Sequence, residues 1–307
     1  MVLRRIIQTV AVFLTNAYWL FPFSGSGIYT GRFKAVCAPG LNCWSCPAAT
    51  TACPIGALQN SLATVRFNLG AGNYHFGLYV LGWLGLIGTA VGRMPCGWVC
   101  PFGFFQELVH KIPSRKFGIP RVLTWLKYPI LALFVVLLPL FVVDSFGFGQ
   151  TWFCKYICPA GTLEAGLPAM GLQSQLRPMV GWLFAQKVTL LVGFLVWMVF
   201  ASRPFCRVAC PLGALYSLFN KVSFFRMRWD EDACVHCQKC YQVCPMGVKF
   251  WENANHYDCI RCLRCYYEGC QFGAISYEWV GLPERVVRTG RRKQQKQQAA
   301  PSGGQSG

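Results

Sequence analysis

Charge is scarce in this chain. Only 13% of its 307 residues are charged, against 54% hydrophobic and 15% aromatic. That balance excludes an ordinary soluble domain and points to the membrane class. Histidine is scarcer still, with four residues. Haem ligation in a membrane needs paired histidines within apolar spans, and His75 is the sole residue near one, so a cytochrome-b reading fails. The N-terminus MVLRRIIQTVAVFL has no small-residue cleavage site after its apolar region, and no twin-arginine export motif with its usual surroundings is present. The N-terminal stretch is therefore expected to remain as a first span, with the C-terminal part staying on the side where it is made. Disulfide spacing is missing too: the eighteen cysteines are spaced as metal ligands.

Four apolar stretches, residues 6–23, 74–92, 122–143 and about 181–202, approach the roughly 20 residues needed to cross a hydrocarbon core. The first carries Gln8 and Asn16, so an interfacial helix is its alternative; the third carries Pro129 and Pro139, which a packed membrane helix tolerates.

Residues 234–244 read CVHCQKCYQVC, followed by Pro245, the C-x2-C-x2-C-x3-C-P run of bacterial two-cluster ferredoxins. A second run, CIRCLRCYYEGC, fills 259–270. Three thiolates in a tight turn hold three corners of a cubane, and the fourth comes from the other run. Cys234, Cys237, Cys240 and Cys270 are expected on one [4Fe–4S] cluster, and Cys259, Cys262, Cys265 and Cys244 on the other. The second run has one extra residue before Cys270 and Gln271 in place of proline, which predicts an altered loop there. His236, His256 and His110 are read as surface residues.

The membrane part repeats C-P-x-G once after each span: CPIGALQ from Cys53, CPFGFFQ from Cys100, CPAGTLE from Cys158 and CPLGALY from Cys210. A shift of about 110 residues aligns RMPCGWVCPFGFFQELVHK with RPFCRVACPLGALYSLFNK, so Arg93 meets Arg203, Cys96 meets Cys206 and Cys100 meets Cys210. Such a duplication implies a pseudo-two-fold axis along the membrane normal. That axis brings Cys96 and Cys100 opposite Cys206 and Cys210, the four thiolates of an inner cluster. On the other side, Cys154 and Cys158 face a cysteine loop holding Cys37, Cys43, Cys46 and Cys53, with Ala49 where a partner of Cys154 belongs. Cys46, Cys53, Cys154 and Cys158 are expected on an outer cluster. Cys37 and Cys43 remain alternative ligands or a disulfide.

The expected architecture is an α-helical membrane protein, with four transmembrane helices arranged as two repeated helix pairs (1–112 and 113–222). An α+β two-cluster ferredoxin domain follows at 223–288, and then a basic low-complexity tail at 289–307. Eleven basic residues flank the predicted inner side against six on the outer, which places both termini and the ferredoxin domain in the cytoplasm. Four cubanes with sixteen thiolates would lower the formal charge of +18 to about +10, so a nucleic-acid partner is not implied and anionic lipid suffices.

Membrane helices ending in C-x3-C-P and followed by a two-cluster ferredoxin resemble the polyferredoxin-type membrane proteins. These include the quinol-oxidising membrane component of periplasmic nitrate reductase systems, the methylamine-utilisation ferredoxin-type protein and the C-terminal part of the nitrous-oxide regulator. The resemblance implies electron transfer between an outer-face carrier or the quinone pool and a cytoplasmic redox partner, within a complex and without catalytic residues of its own. The usual nitrate-reductase component has two C-x3-C-P motifs in its membrane part and this chain has three, which favours a cluster on each membrane face. A quinol–quinone oxidoreductase component or a membrane redox or metal-responsive regulator are the alternatives, with structural zinc more remote. If the clusters sit at opposite helix ends they are about 30 Å apart, so the motif loops are expected to dip into the protein.

Overall fold

The computed structural model describes residues 2–19, 28–72 and 77–280. The basic tail and His75 lie outside these residues. Helix α1 (Val2–Thr15) carries its polarity inward: Arg4, Gln8, Ala11 and Thr15 are buried, while Leu3, Ile6, Phe13 and Leu14 are exposed. Spacings of three and four residues put the buried set on one face. Gln8, an awkward residue for a span, donates its Nε2 to the Gly97 carbonyl at 3.0 Å. A helix with an apolar outer face and a polar inner one suits lipid outside and protein inside.

Helix α2 (Pro54–Ala63) follows the first cysteine loop, and α3 (Leu78–Val91) leads to α4 (Pro101–Val109). Helix α5 (Arg121–Phe141) and helix α6 (Trp182–Phe200) are each long and apolar enough to cross a membrane. Within α6 only Leu191 and Met198 are buried. Of the four expected spans, α1 and α3 have 14 residues each, a rise of roughly 21 Å, short of a hydrocarbon core. Residues 20–27 and 73–76, which flank them, lie outside the described set. In α5 the turns Leu131–Leu137 are π-helical between Pro129 and Pro139. Proline has no amide to continue the i−4 ladder, and a wider turn accommodates that break.

The duplication is visible in the backbone. Short helices Met94–Trp98 and Pro204–Val208 precede α4 and α7 (Pro211–Phe219). The amides of Cys100 and Cys210 donate to Pro95 O at 3.1 Å and Phe205 O at 2.9 Å, equivalent carbonyls 110 residues apart. The halves share one core, in which Phe102 meets Phe205 edge-on at 5.2 Å.

Strands β1 (Phe225–Trp229) and β2 (Ile275–Trp279) pair antiparallel, Phe225 opposite Trp279 and Trp229 opposite Ile275, and bracket the two cysteine runs. This small α+β unit is tied to the ends of α3 and α7. Phe224 N donates to Thr89 O at 2.8 Å, and Asn220 Nδ2 donates to Cys259 O at 2.8 Å and His256 O at 3.0 Å.

Candidate iron–sulfur sites

Each C-P-x-G cysteine is the N-cap of a helix, with proline at the first helical position, where its missing amide costs nothing. Cys100, Cys158 and Cys210 then accept the amide of the motif glycine on Sγ at 3.4, 3.4 and 3.3 Å. The sulfur thus stands where a serine or aspartate oxygen would cap.

The glycines have a use beyond close approach to a cluster. A Cβ on Gly103 would lie 3.1 Å from Arg203 Nη1, and one on Gly213 would lie 2.6 Å from Arg93 Nη2. Those arginines, both fully buried, cross between the halves: Arg203 Nη1 donates to Cys96 O at 2.6 Å and Arg93 Nη2 donates to Cys206 O at 2.5 Å. Arg203 holds φ at +51°, a left-handed conformation unusual for arginine, and its guanidinium also pairs with Glu107 at 2.8 Å. Cys96, Cys100, Cys206 and Cys210 are all buried beside this exchange.

The outer group is arranged differently from the expectation. Cys43 and Cys158 flank Gly161, their Sγ atoms 3.6 and 3.8 Å from where its Cβ would be. Cys154 Sγ and Cys53 Cβ flank Gly56 at 4.0 and 3.8 Å. Cys46 instead points its Sγ at Asn16 Oδ1, 3.8 Å away. Its limb of the loop is tied to α1: Asn42 Nδ2 and Thr50 N both donate to Thr15 O, at 3.1 and 2.9 Å. Cys43, one of the two alternatives to Cys46, is anchored by its own amide on Glu164 Oε2 at 2.7 Å. Cys37 is buried deeper, its backbone paired with Ala52, and all eighteen cysteines are free, so no Cys37–Cys43 disulfide forms. A cavity of about 1010 Å³ is lined by Cys37, Cys43, Cys53, Cys154 and Cys158.

The first loop reaches the inner group as well. A Cβ on Gly40 would lie 2.6 Å from Cys100 Cα, and Cys53 and Cys158 of the outer group share one core with Cys96, Cys100 and Cys210 of the inner group and with Cys262. The motif loops therefore lie within the protein, where irregular backbone at depth is tolerated.

In the ferredoxin domain, Cys240 faces Cys234, Cys237 and Cys270, and Cys265 faces Cys259, Cys262 and Cys244. His236 and Gln238 in the first run, and Arg261 and Leu263 in the second, take left-handed φ between +47° and +58°. These pairs occupy equivalent positions between ligands, so both runs curl the same way, turning amides inward as an anion-binding nest does. The extra residue before Cys270 is absorbed as a π-helical turn, Cys265–Gly269. Burial, with the nearby Cys244 adding to it, pushes the Cys259 thiol up to about 12; it needs a cation to be a thiolate at neutral pH.

The inner group touches the ferredoxin domain directly. A Cβ on Gly97 would lie 2.6 Å from Ile260 O and 3.5 Å from Cys262 Cβ, and Trp98 Nε1 donates to Arg261 O at 3.0 Å. Arg93 Nη1 pairs with Asp258 at 3.0 Å, and Lys127 pairs with the same carboxylate.

Among the described residues no three His, Cys, Asp or Glu side chains converge on a single ion. Thiolates on the corners of a cubane stand farther apart than the ligands of one metal. The donor chemistry fits such a cluster: thiols only, capped by amides, four to a group. Sequence spacing had not singled out the residue six places after each capping cysteine. Gln106 Nε2 donates to Cys206 Sγ at 3.0 Å and Gln59 Nε2 to Cys154 Sγ at 3.1 Å, and both glutamines stand last in the repeated heptads.

Comparison with known proteins bears on the class. The 4Fe-4S binding domain family matches residues 74–120 and 128–167, and the 4Fe-4S dicluster domain family matches residues 204–248. Two uncharacterized proteins of Methanocaldococcus jannaschii are similar. One is 32% identical over 61% of this chain and 64% of its own length, the other 31% identical over 62% and 73%. The methylamine utilization ferredoxin-type protein MauN of Methylorubrum extorquens is 27% identical over 79% of this chain and 73% of its own. The chain spans less than two thirds of the first of these relatives. No solved structure matches. The chain belongs to the polyferredoxin-type iron–sulfur family. Its matched domains are of the kind that binds [4Fe–4S] clusters.

Proposed function

We propose that the chain is a multi-pass subunit of the cytoplasmic membrane that carries electrons through four [4Fe–4S] clusters. The outer cluster is held by Cys43, Cys53, Cys154 and Cys158, and the inner by Cys96, Cys100, Cys206 and Cys210. Then come the ferredoxin sites, Cys244 with Cys259, Cys262 and Cys265, and Cys234 with Cys237, Cys240 and Cys270. The last ends at Cys237, the one exposed cysteine, where a cytoplasmic redox partner would take or give electrons. Four spans, with both termini and the ferredoxin domain in the cytoplasm, complete the reading.

The observation that carries it is the packing of Gly97 and Trp98 on the Ile260–Cys262 turn, which joins the membrane cysteines to the ferredoxin run. A cluster supplies one-electron carriage at a potential set by hydrogen bonds and burial. The chain's own part is to cap each thiolate, to exclude water from the inner group and to hold neighbouring groups in one core. Iron and sulfide per chain after anaerobic purification test the reading. About sixteen irons are expected; about eight would leave only the ferredoxin domain loaded.

The outer cavity supports a second partner. At about 1010 Å³, lined by Lys34, Lys155 and Lys187 as well as apolar residues, it exceeds the needs of a cubane. A quinone is the candidate, and a quinone-site inhibitor that leaves cluster reduction unchanged would sink it.

A further inference from the structure

The sixth residue after each capping cysteine lies one and a half turns into its helix, on the face carrying the motif glycine. There it looks across the pseudo-two-fold axis. The four occupants are Gln59, Gln106, Glu164 and Tyr216. Two of them donate to a sulfur of the opposite half: Gln59 to Cys154 and Gln106 to Cys206, in each case the first cysteine of the C-x3-C pair. Gln59 is itself fixed, because its Oε1 accepts the Phe153 amide at 3.0 Å.

The symmetry mate of Gln106 is Tyr216, and the mate of Cys206 is Cys96. Tyr216 is fully buried, and its hydroxyl has no hydrogen-bond partner among the described residues. A phenol buried without a partner costs free energy, so such groups usually have a use. Tyr216 belongs to the same buried core as Cys96 and Cys100. At the outer group the mate of Gln59 is Glu164, and the missing cysteine at Ala49 leaves it no sulfur. Its carboxyl accepts the Cys43 amide instead.

We propose that Gln59, Gln106 and Tyr216 are positioning residues that raise the reduction potential of the membrane cluster of their group: Gln59 and Gln106 through the cysteine sulfur each donates to, and Tyr216 through its unpartnered hydroxyl, which would donate to the inner cluster. This rests on the reading of two membrane clusters. A donor to a thiolate stabilises the more negative, reduced cluster more than the oxidised one, so each N–H or O–H lifts the midpoint. The inner cluster, with an amide from one half and a hydroxyl from the other, gains more than the outer.

Redox titration of the whole chain, followed by EPR and paired with iron and sulfide analysis, reads this out. Gln106→Leu should lower one membrane signal by about tenfold in its reduction equilibrium, roughly 59 mV for one electron. Tyr216→Phe, nearly isosteric, should lower the same signal at unchanged iron content. Gln59→Leu should lower the other membrane signal, and the ferredoxin signals should stay where they are. If Gln106→Leu sheds iron, Tyr216→Phe decides alone. Unmoved midpoints with iron retained, an upward shift, or loss of iron from both inner variants would overturn the inference. About eight irons in the unaltered chain would instead overturn the membrane clusters themselves, which distinguishes the two failures.

Discussion

At the scale of single residues, cysteine alone does not specify a ligand. Cys43 and Cys46 are three apart in one loop with equally suitable chemistry, and the repeat alignment favours Cys46 because it lies nearer Ala49. They differ in what each sulfur meets: Cys46 Sγ lies 3.8 Å from Asn16 Oδ1 of the segment after α1, whereas Cys43 Sγ lies beside Gly161 with that of Cys158. Those contacts join segments distant in sequence and cannot be read from spacing. Replacing each by serine separates them. Cys43→Ser should lose or strongly alter the outer cluster's EPR signal and about four irons, whereas Cys46→Ser should keep both. The recurrence of C-P-x-G was legible, but that each of these four cysteines caps a helix with proline at its first position was not read from it. Which neighbour the glycine admits was not legible either, although Arg93 and Arg203 were already aligned by the repeat.

At the scale of elements, α1 looked like the weakest span because of Gln8 and Asn16, and its polar residues turn out to dock it. Arg4 Nη2 meets Glu107 Oε1 at 2.5 Å, the carboxylate that also holds Arg203. Burial raises the Glu107 carboxyl, but Arg203 and then Arg4 outweigh it and hold the group below its ordinary value. A depressed folded value gives a stabilisation that is full above the unfolded value of about 4.3 and disappears as pH falls through the folded one. Protease sensitivity of the N-terminal segment should therefore rise on acidification below about pH 4. Glu107→Gln should show that sensitivity already at neutral pH, at a cost of about 2 kcal/mol. Of the expected stretches 6–23 and 74–92, the described helices α1 and α3 cover Val2–Thr15 and Leu78–Val91.

At the scale of the whole molecule, the order of the parts was legible: repeat, repeat, ferredoxin. The contact between them was not, since nothing in RMPCGW announces that Gly97 will lie under Ile260 or that Arg93 will find Asp258. Five of the eleven basic residues counted on the inner side, Arg4, Lys127, Arg207, Arg93 and Arg203, are buried. Part of the charge bias therefore serves the fold as well as the topology. Asp258, held by Arg93 and Lys127 together, is the electrostatic centre of the domain junction. Asp258→Ala would leave two buried cations unpaired, and a loss of about 3 kcal/mol is expected in thermal unfolding of the full chain. Arg121→Ala removes an exposed, solvent-screened pair with Glu252 and should leave the same unfolding transition nearly unmoved.

The crossed arginines have a consequence for how the protein is made. Arg93 closes the loop of Cys206, and Arg203 closes the loop of Cys96, each lying against a glycine of the other half. Neither half can finish its own pocket. During synthesis the first half leaves the ribosome with Cys96 and Cys100 facing nothing that completes them, and the inner pocket exists only once residue 213 has emerged and folded back. On the proposed reading, delivery of inorganic iron and sulfide to that group is a late event, coming after the second half is in place, whatever the order in which the cysteines are translated.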